Sequence, residues 1–157
     1  MCGIIGYYGD NVSEFIEEPR LDLLNHRGPD NQDYVQGKDY FLGHTRLSIQ
    51  DTSESANQPM FSDDKSVVLI FNGEIYNHIE LRKELLSSVD FKSSGDSETL
   101  LYGLIKYGVD FIDKLNGIFA FSFLNITTGD IIISKDHFGV KPLYYHSNDN
   151  EIYFSSE

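Results

Sequence analysis

Several kinds of residue and segment are scarce or missing in this chain of 157 residues. It has one cysteine, Cys2, and no tryptophan. A single cysteine excludes an intramolecular disulfide framework and a multi-cysteine metal site, and a reducing compartment would leave it as a free thiol. The five histidines form no H-E-x-x-H pattern and no pair four residues apart. We therefore expect a protein without a resident metal ion.

Basic residues are also few. Lysine and arginine number 12 against 25 acidic residues, which gives a formal net charge of -13 at pH 7. Because the basic residues are scattered, the chain offers no counter-charge for a nucleic-acid backbone or an anionic bilayer. No apolar run approaches the roughly 20 residues of a membrane span, and the N-terminus lacks a secretory signal pattern. We expect a cytoplasmic protein without nucleic-acid or membrane partners.

Enough apolar residues are present for one packed domain, since they make up 40% of the chain. A chain of this length buries roughly 70% of its unfolded surface. Runs rich in β-branched and aromatic residues predict strands over 2–8, 40–48, 67–72, 118–124, 130–135, 143–145 and 152–155. Gly73 directly follows one of these runs and indicates a sharp change of chain direction.

Three segments have helical signals. Residues 21–24 predict a brief helical turn, and residues 78–88 predict a helix begun by a capping box of Asn77 with Glu80. Leucines at helical spacing predict a further helix that starts near Asp96 or Ser97. Strands on both sides of a helical middle, with antiparallel hairpins, predict an α+β layered fold rather than a doubly wound one.

The position of the lone cysteine is informative. Initiator methionine is usually removed when the next residue is small, and loss of Met1 would leave a thiol and a free α-amine on Cys2. In model peptides an α-amine has a pKa of about 7.7 to 8.0 and a cysteine thiol one of about 8.5, so an α-amine suits the role of general base for a thiol. The alternative is a buried structural cysteine in a strand.

Four ordered blocks carry a more specific signal. They are MCGIIG at 1–6, HRGPD at 26–30, NGEIYN at 72–77 and DHFGVKPLYY at 136–145. Together they resemble the class II glutamine amidotransferases, which use an N-terminal cysteine nucleophile, and specifically the glutaminase domain of glutamine-hydrolysing asparagine synthetases. The likeness covers essentially the whole chain.

The resemblance implies a fold and partners. The fold is a four-layer αββα N-terminal-nucleophile hydrolase sandwich, with residues 1–157 forming one glutamine amidotransferase type 2 domain. A C-terminal synthetase domain is expected to be missing, since no SGGxDS pyrophosphate loop is present. The implied partners are L-glutamine and that synthetase domain, and a homodimer is compatible with the family. No cofactor is implied for the glutaminase domain, because ATP and magnesium belong to the synthetase domain.

The same resemblance assigns substrate-binding residues. Arg46 matches the family's arginine for the substrate carboxylate, a role suited to its planar fork. Asp96 matches the acidic residue for the substrate ammonium, although Gly95 replaces the family's usual serine before it. Glu74 is expected to help hold the ammonium, and Leu47 and Ile49 to contribute backbone groups. The structural alternatives are a surface ion pair for Arg46 and a plain helix N-cap at Asp96.

Asn72 and Gly73 match the oxyanion hole of the family, Asn72 by its side-chain amide and Gly73 by its backbone N–H. The alternative for this pair is a type I′ hairpin turn, which Asn-Gly favours. Arg27 is expected either to position the N-terminal end or to belong to a structural turn. The block at 136–145 is expected to have a packing role, with a turn shaped by glycine and proline.

The expected function is hydrolysis of L-glutamine to glutamate and ammonia by Cys2, with the ammonia passing to the synthetase domain. Two alternatives stay open. One is a non-catalytic glutamine-sensing or regulatory domain of the same fold. The other is a self-contained N-terminal-nucleophile hydrolase of another amide, which would not need both a cation and an anion for the substrate. The ammonia acceptor, aspartate or another carboxylate, is also open.

Overall fold

The computed structural model describes residues 1–16, 20–49, 51–85 and 89–157, and strands dominate this part of the chain. The strands are β1 (Gly3–Gly9), β2 (Asn31–Gln36), β3 (Tyr40–Arg46), β4 (Met60–Phe61), β5 (Val67–Ile75), β6 (Gly117–Asn125), β7 (Ile131–Lys135), β8 (Tyr144–Ser147) and β9 (Glu151–Ser155). The helices are α1 (Val12–Ile16), α2 (His78–Leu85) and α3 (Asp96–Tyr107), with 3₁₀ segments at Arg20–Leu24, Glu54–Ala56 and Gly108–Lys114. Among the described residues no helix has the length and apolar character needed to cross a membrane.

The strands form two antiparallel sheets that pack face to face. The first sheet has the order β2-β3-β1-β9-β8 and the second the order β4-β5-β6-β7. Helices α2 and α3 cover the outer face of the second sheet, while α1 and the 3₁₀ segment after it pack on the first. This order of layers, helix, sheet, sheet, helix, confirms the predicted α+β sandwich.

Side-chain alternation along the strands determines what each face carries. Even-numbered residues of β1, β3 and β5, such as Ile4, Leu42 and Ile70, point into the gap between the sheets. Odd-numbered residues, such as Tyr7 and Phe71, point toward the helical layers. At one end of the sandwich the even-numbered series becomes polar. Polar side chains from β3 and β5 therefore collect at that end of the gap.

Two strands are not predicted by the sequence pattern. Strand β2 lies at the edge of the first sheet and is polar and largely exposed, so it carries little hydrophobic alternation. Strand β4 has only two residues. The predicted strand over 2–8 begins one residue later, at Gly3, which leaves Cys2 just outside the sheet.

The predicted change of direction at Gly73 is wrong, because β5 continues through it to Ile75. Glycine is needed there for a different reason. A Cβ at position 73 would lie 2.3 Å from the carbonyl oxygen of Ile118 on the neighbouring strand. Close approach of two backbones, rather than a turn, explains this glycine.

The predicted capping box at the start of α2 is also wrong. The Asn77 side chain donates to the Lys114 carbonyl oxygen at 2.9 Å and accepts from the Asn116 N–H at 3.0 Å. It therefore fastens the start of α2 to the segment before β6. The helix is described as far as Leu85, and positions 86–88 of the predicted helix lie outside the described residues.

A buried histidine connects the two sheets close to the polar end of the gap. His44 of β3 is completely buried, and its Nε2 donates to the Phe71 carbonyl oxygen of β5 at 3.1 Å. Burial lowers the pKa of His44 to about 4, with the bond to Phe71 opposing this change and the charge of Arg46 adding to it. The imidazole is therefore neutral near pH 7.

This histidine predicts a specific loss of stability in acid. In the unfolded chain His44 binds a proton near pH 6.5, and in the folded chain only near pH 4. The contribution of neutral His44 to the free energy of unfolding is therefore fully present above pH 6.5 and is lost as the pH falls toward 4. Between about pH 7.5 and about pH 4.5, the wild type should lose about 2 kcal/mol more of its free energy of unfolding than His44→Gln. The side-chain amide of the glutamine in this variant can still donate to the Phe71 carbonyl oxygen, and it does not titrate. Urea titrations at both pH values measure the difference, and equal losses would contradict the assignment.

Candidate active site

A pocket of about 120 Å³ opens where the gap between the sheets becomes polar. Its walls come from the N-terminus, β3 and the loop after it, β5, and the start of α3. Its lining includes all the residues that the sequence predicts for the site, namely Cys2, Arg46, Leu47, Ile49, Asn72, Gly73, Glu74 and Asp96. Positions that are distant in sequence therefore share one small cavity.

Cys2 lies immediately before β1 and is held on both its backbone and its sulfur. The Leu47 N–H donates to the Cys2 sulfur at 3.4 Å, and the thiol lies 3.7 Å from the Leu47 carbonyl oxygen. The Arg27 Nε donates to the Cys2 carbonyl oxygen at 3.0 Å, while its Nη1 pairs with Glu157 at 2.8 Å. The structure thus favours the interpretation of Arg27 as a residue that positions the Cys2 end.

Asn72 lies within β5 and not in a hairpin turn, so the turn alternative is wrong. Its side chain is only 1% exposed, yet its Nδ2 has no acceptor among the described residues. A buried amide without a partner carries a desolvation cost of about 1–3 kcal/mol. An oxygen-bearing ligand in the pocket would remove that cost.

The backbone N–H of Gly73 also lacks an acceptor in the described part of the chain, because of the strand register. Gly73 faces Phe119 of β6, but Phe119 directs both its N–H and its C=O to Asp136 on the opposite side. The Gly73 N–H therefore points away from β6. The next N–H on the same side, that of Ile75, donates to Asp96 at 2.8 Å. Two neighbouring residues of β5 thus offer unpaired N–H donors to one pocket.

Arg46 is nearly buried and is oriented by the loop that follows it. Its Nη1 donates to the Ser53 carbonyl oxygen at 2.9 Å and to Asn57 Oδ1, and its Nη2 donates to the Asp51 carbonyl oxygen. A guanidinium has five N–H groups, so two have no protein acceptor among the described residues. All three acceptors are uncharged, which leaves the full positive charge of Arg46 without a described counter-ion.

Asp96 begins α3 but does not cap it. Gly95 is the N-cap and no side-chain capping bond is present, so the N-cap alternative at Asp96 is wrong. Burial raises the pKa of Asp96, and the bond from Ile75 and the charge of His78 oppose this change only in part. None of the ion pairs found among the described residues includes Asp96. A ligand cation would stabilise its charged form.

Sequence patterns miss Gln58, which shapes the pocket wall. Its side-chain oxygen accepts from the Phe71 N–H at 2.6 Å and its side-chain nitrogen donates to the Phe71 carbonyl oxygen at 3.2 Å. The amide therefore bonds the edge of β5 as a neighbouring strand would. No spacing rule predicts such a contact, because it joins a loop to a strand 13 residues away.

Lys141 is a second missed pocket residue, and it belongs to the block at 136–145. The Asp136 carboxylate accepts from four backbone N–H groups, including those of Phe119, Val140 and Lys141. Burial tends to raise the pKa of Asp136, but these bonds outweigh it and lower the pKa. The structural role expected for the block agrees with this loop, which in addition carries a lysine to the pocket.

Known proteins are similar to this chain in sequence and in fold. Residues 1–157 match the family model described as glutamine amidotransferase domain. The chain is 40% identical over 162 residues to asparagine synthetase (glutamine-hydrolyzing) 1 of Arabidopsis thaliana. It is 37% identical over 164 residues to asparagine synthetase (glutamine-hydrolyzing) 1 of Bacillus subtilis (strain 168). Both alignments cover 100% of this chain but 27% and 26% of those proteins, so the chain spans about a quarter of their length.

A solved structure has the same fold. It is glutamine phosphoribosylpyrophosphate amidotransferase from B. subtilis, complexed with ADP and GMP. The TM-score is 0.81 at 22% sequence identity, and the match covers 99% of this chain and 42% of that one. The sandwich is thus shared with an amidotransferase whose sequence is distant.

Replacement of Gly73 by alanine should disturb the pocket wall through the backbone. The new Cβ would meet the Ile118 carbonyl oxygen at 2.3 Å, so β5 and β6 must separate, and we expect a loss of about 1–3 kcal/mol in the free energy of unfolding. Gly95→Ala is the matched control, because its nearest neighbour would lie at 3.7 Å. Urea denaturation of both variants measures the difference, and equal stability would refute the close-approach explanation.

Proposed function

This chain belongs to the glutamine amidotransferase domain family, and on that premise we propose that it hydrolyses L-glutamine to glutamate and ammonia with Cys2 as nucleophile. It is homologous over its whole length to part of the glutamine-hydrolysing asparagine synthetases. One observation carries the proposal. Among the described residues, the pocket combines a thiol, two N–H donors without an acceptor, a guanidinium with unused N–H groups and a buried carboxylate without a cation. L-glutamine has a complementary group for each.

The amino-acid end of glutamine would be recognised by opposite charges. Its α-carboxylate would accept from the two unused N–H groups of Arg46, a charge-assisted and bidentate arrangement. Its α-ammonium would pair with Asp96, with Glu74 at the exposed side of the pocket. Leu47 and Ile49 would add backbone groups. An amide that lacks these two charges would leave Arg46 and Asp96 unpaired and should bind poorly.

The first chemical step would form a thioester. The Cys2 sulfur attacks the side-chain amide carbon of glutamine, and the carbonyl oxygen becomes an oxyanion. The Asn72 Nδ2 and the Gly73 N–H would donate to that oxyanion, which gives these two unpaired groups a partner. The α-amine of Cys2 takes the thiol proton and passes it to the amide nitrogen. The carbon–nitrogen bond then breaks, and ammonia leaves.

The second step would release glutamate. Water gives a proton to the α-amine and attacks the thioester carbon, and the same donors hold the new oxyanion. The carbon–sulfur bond breaks, glutamate is released and the thiol recovers its proton. Both steps need a free amine on Cys2, whereas the nitrogen of Cys2 is an amide as long as Met1 is attached. Removal of Met1 is therefore part of the proposal.

We further propose that the ammonia passes to a synthetase domain in a longer protein. ATP and magnesium would act only in that domain, while the thiol, amine and N–H donors suffice for glutamine hydrolysis. A cytoplasmic location would keep the Cys2 thiol reduced. The alternative of a glutamine-sensing domain differs in one measurable respect, since a sensor would bind glutamine without turnover.

Replacement of Cys2 tests the nucleophile. Cys2→Ala should reduce glutamate release from glutamine to the background rate, measured by a coupled glutamate dehydrogenase assay, because no other residue offers a thiol. Intact mass must establish the loss of Met1 in each sample, and wild-type protein that keeps Met1 should also be inactive. A neutral amide such as propionamide should not be hydrolysed. Equal activity of Cys2→Ala and the wild type would contradict the role of Cys2 as nucleophile.

Replacement of Asn72 tests the oxyanion hole. Asn72→Ala should lower kcat about 100- to 1000-fold with little change in KM, because the lost donor acts mainly in the transition state. Asn125→Ala is the matched control, since Asn125 is the last residue of β6 and its Oδ1 accepts from the Thr127 and Thr128 N–H groups of the turn that follows. Its kcat should stay within about twofold of the wild type. Steady-state kinetics decide, and a change confined to KM would exclude this role for Asn72.

A further inference from the structure

The loop after β3 and the loop before α3 meet at one carboxylate, that of Asp51. Its Oδ1 accepts from the Ser53 N–H at 2.8 Å and the Ser53 Oγ at 2.5 Å. Its Oδ2 accepts from the Ser94 N–H at 2.8 Å and the Ser94 Oγ at 3.0 Å. Its backbone carbonyl accepts from Arg46. One residue thus contacts Arg46, the loop around Arg46 and the loop that leads to Asp96.

The bonds on the first side shape the surroundings of Arg46. By holding the Ser53 N–H, Asp51 closes a tight turn, and both residues of that turn present a carbonyl oxygen to the guanidinium. These oxygens engage one edge of the fork and leave the remaining N–H groups for a ligand. If the turn opened, Arg46 would lose the contacts that orient it.

The bonds on the second side reach the loop that carries Asp96. Ser94 lies two residues before Asp96, and Gly95 between them lines the pocket. Hydrogen bonds from Ser53 hold the pKa of Asp51 well below its usual range. Burial opposes this lowering in part, and the bonds from Ser94 add to it. The Asp51 carboxylate is therefore charged near pH 7, which strengthens each bond it accepts.

We propose that Asp51 is a positioning residue for amino-acid recognition, which keeps the Arg46 loop and the Asp96 loop at the separation of an α-carboxylate and an α-ammonium. These two groups share one carbon atom, so their protein partners must be held at a set distance. The inference rests on the proposed glutaminase function. Asp51 acts through Arg46 and the Asp96 loop and not on the side-chain amide, so its loss should weaken binding more than the chemical step.

The Asp96 loop has other supports, which makes the proposal testable without loss of the fold. Arg82 of α2 donates to the carbonyl oxygens of Ser93 and Gly95, both at 2.6 Å. Glu98 of α3 accepts from the Ser93 N–H at 2.7 Å. Removal of the Asp51 carboxylate should therefore leave the Asp96 loop in place and release chiefly the loop around Arg46.

The first test compares steady-state kinetics of Asp51 variants in protein that has lost Met1. Asp51→Ala should raise the KM for glutamine about tenfold or more, with kcat within about threefold of the wild type. Asp51→Asn keeps one carboxamide oxygen for Ser53 and should recover part of the loss. Asp64→Ala is the matched control, because Asp64 accepts similarly from Ser62 and Ser66 in the turn at the other end of β5. It should leave KM unchanged.

A second measurement distinguishes a loss of glutamine recognition from a general disturbance of the site. Iodoacetamide alkylates Cys2 without using either charged recognition group, whereas a diazoketone analogue of glutamine must present its carboxylate and ammonium. Asp51→Ala should slow inactivation by the analogue about tenfold and leave the iodoacetamide rate within about twofold. A merely structural role for Asp51 would slow both reactions, or would lower stability as judged by urea denaturation.

The outcomes are distinct. Wild-type kinetics in both Asp51 variants, or equal slowing with both reagents, would overturn the role of Asp51 while the glutaminase function stands. A loss confined to kcat would overturn it as well. Absence of glutamine turnover in unsubstituted protein without Met1 would overturn the proposed function, and this inference with it.

Discussion

The face-to-face packing of two antiparallel sheets is the constraint on which the rest of this structure depends. Strand alternation sends every second side chain of β1, β3 and β5 into the gap, where most are apolar and form the core. The same alternation continues to the end of the gap, where the series becomes polar. Arg46, Asn72 and Glu74 therefore reach the pocket by the same rule that buries Leu42 and Ile70.

Backbone pairing at this end leaves groups unsatisfied, and those groups are the chemical content of the site. The backbone N–H and C=O of Phe119 are both hydrogen-bonded to Asp136. The backbone N–H of the facing Gly73 therefore has no acceptor on β6. On the same edge of β5, the Phe71 N–H donates to Gln58 and the Ile75 N–H donates to Asp96. Side chains thus bond these two N–H groups, while in the described part of the chain the Gly73 N–H and the Asn72 Nδ2 have no acceptor. Unpaired buried donors are costly, so a protein retains them where a ligand supplies the acceptor.

Local sequence patterns predict some elements of this fold and miss others, for physical reasons. Long apolar strands such as β5 and β6 carry a strong local signal and are predicted well, whereas β2 is polar and exposed and carries almost none. Local motifs were misleading where tertiary contacts compete with them. Asn77 matches a capping box but bonds the segment before β6, and Gly73 matches a turn but lies inside a strand.

The sequence by itself determined the α+β class, the lone thiol at position 2, the family blocks and many, though not all, of the residues that line the pocket. These follow from residue type, order and local periodicity, which are properties of the chain before it folds. Only the tertiary structure decided which donors stay unpaired, how Arg46 is oriented and that Asp51 joins two loops 43 residues apart. Those features depend on strand register and on contacts between distant loops. Local sequence patterns do not predict these features, because each depends on how the whole sandwich packs.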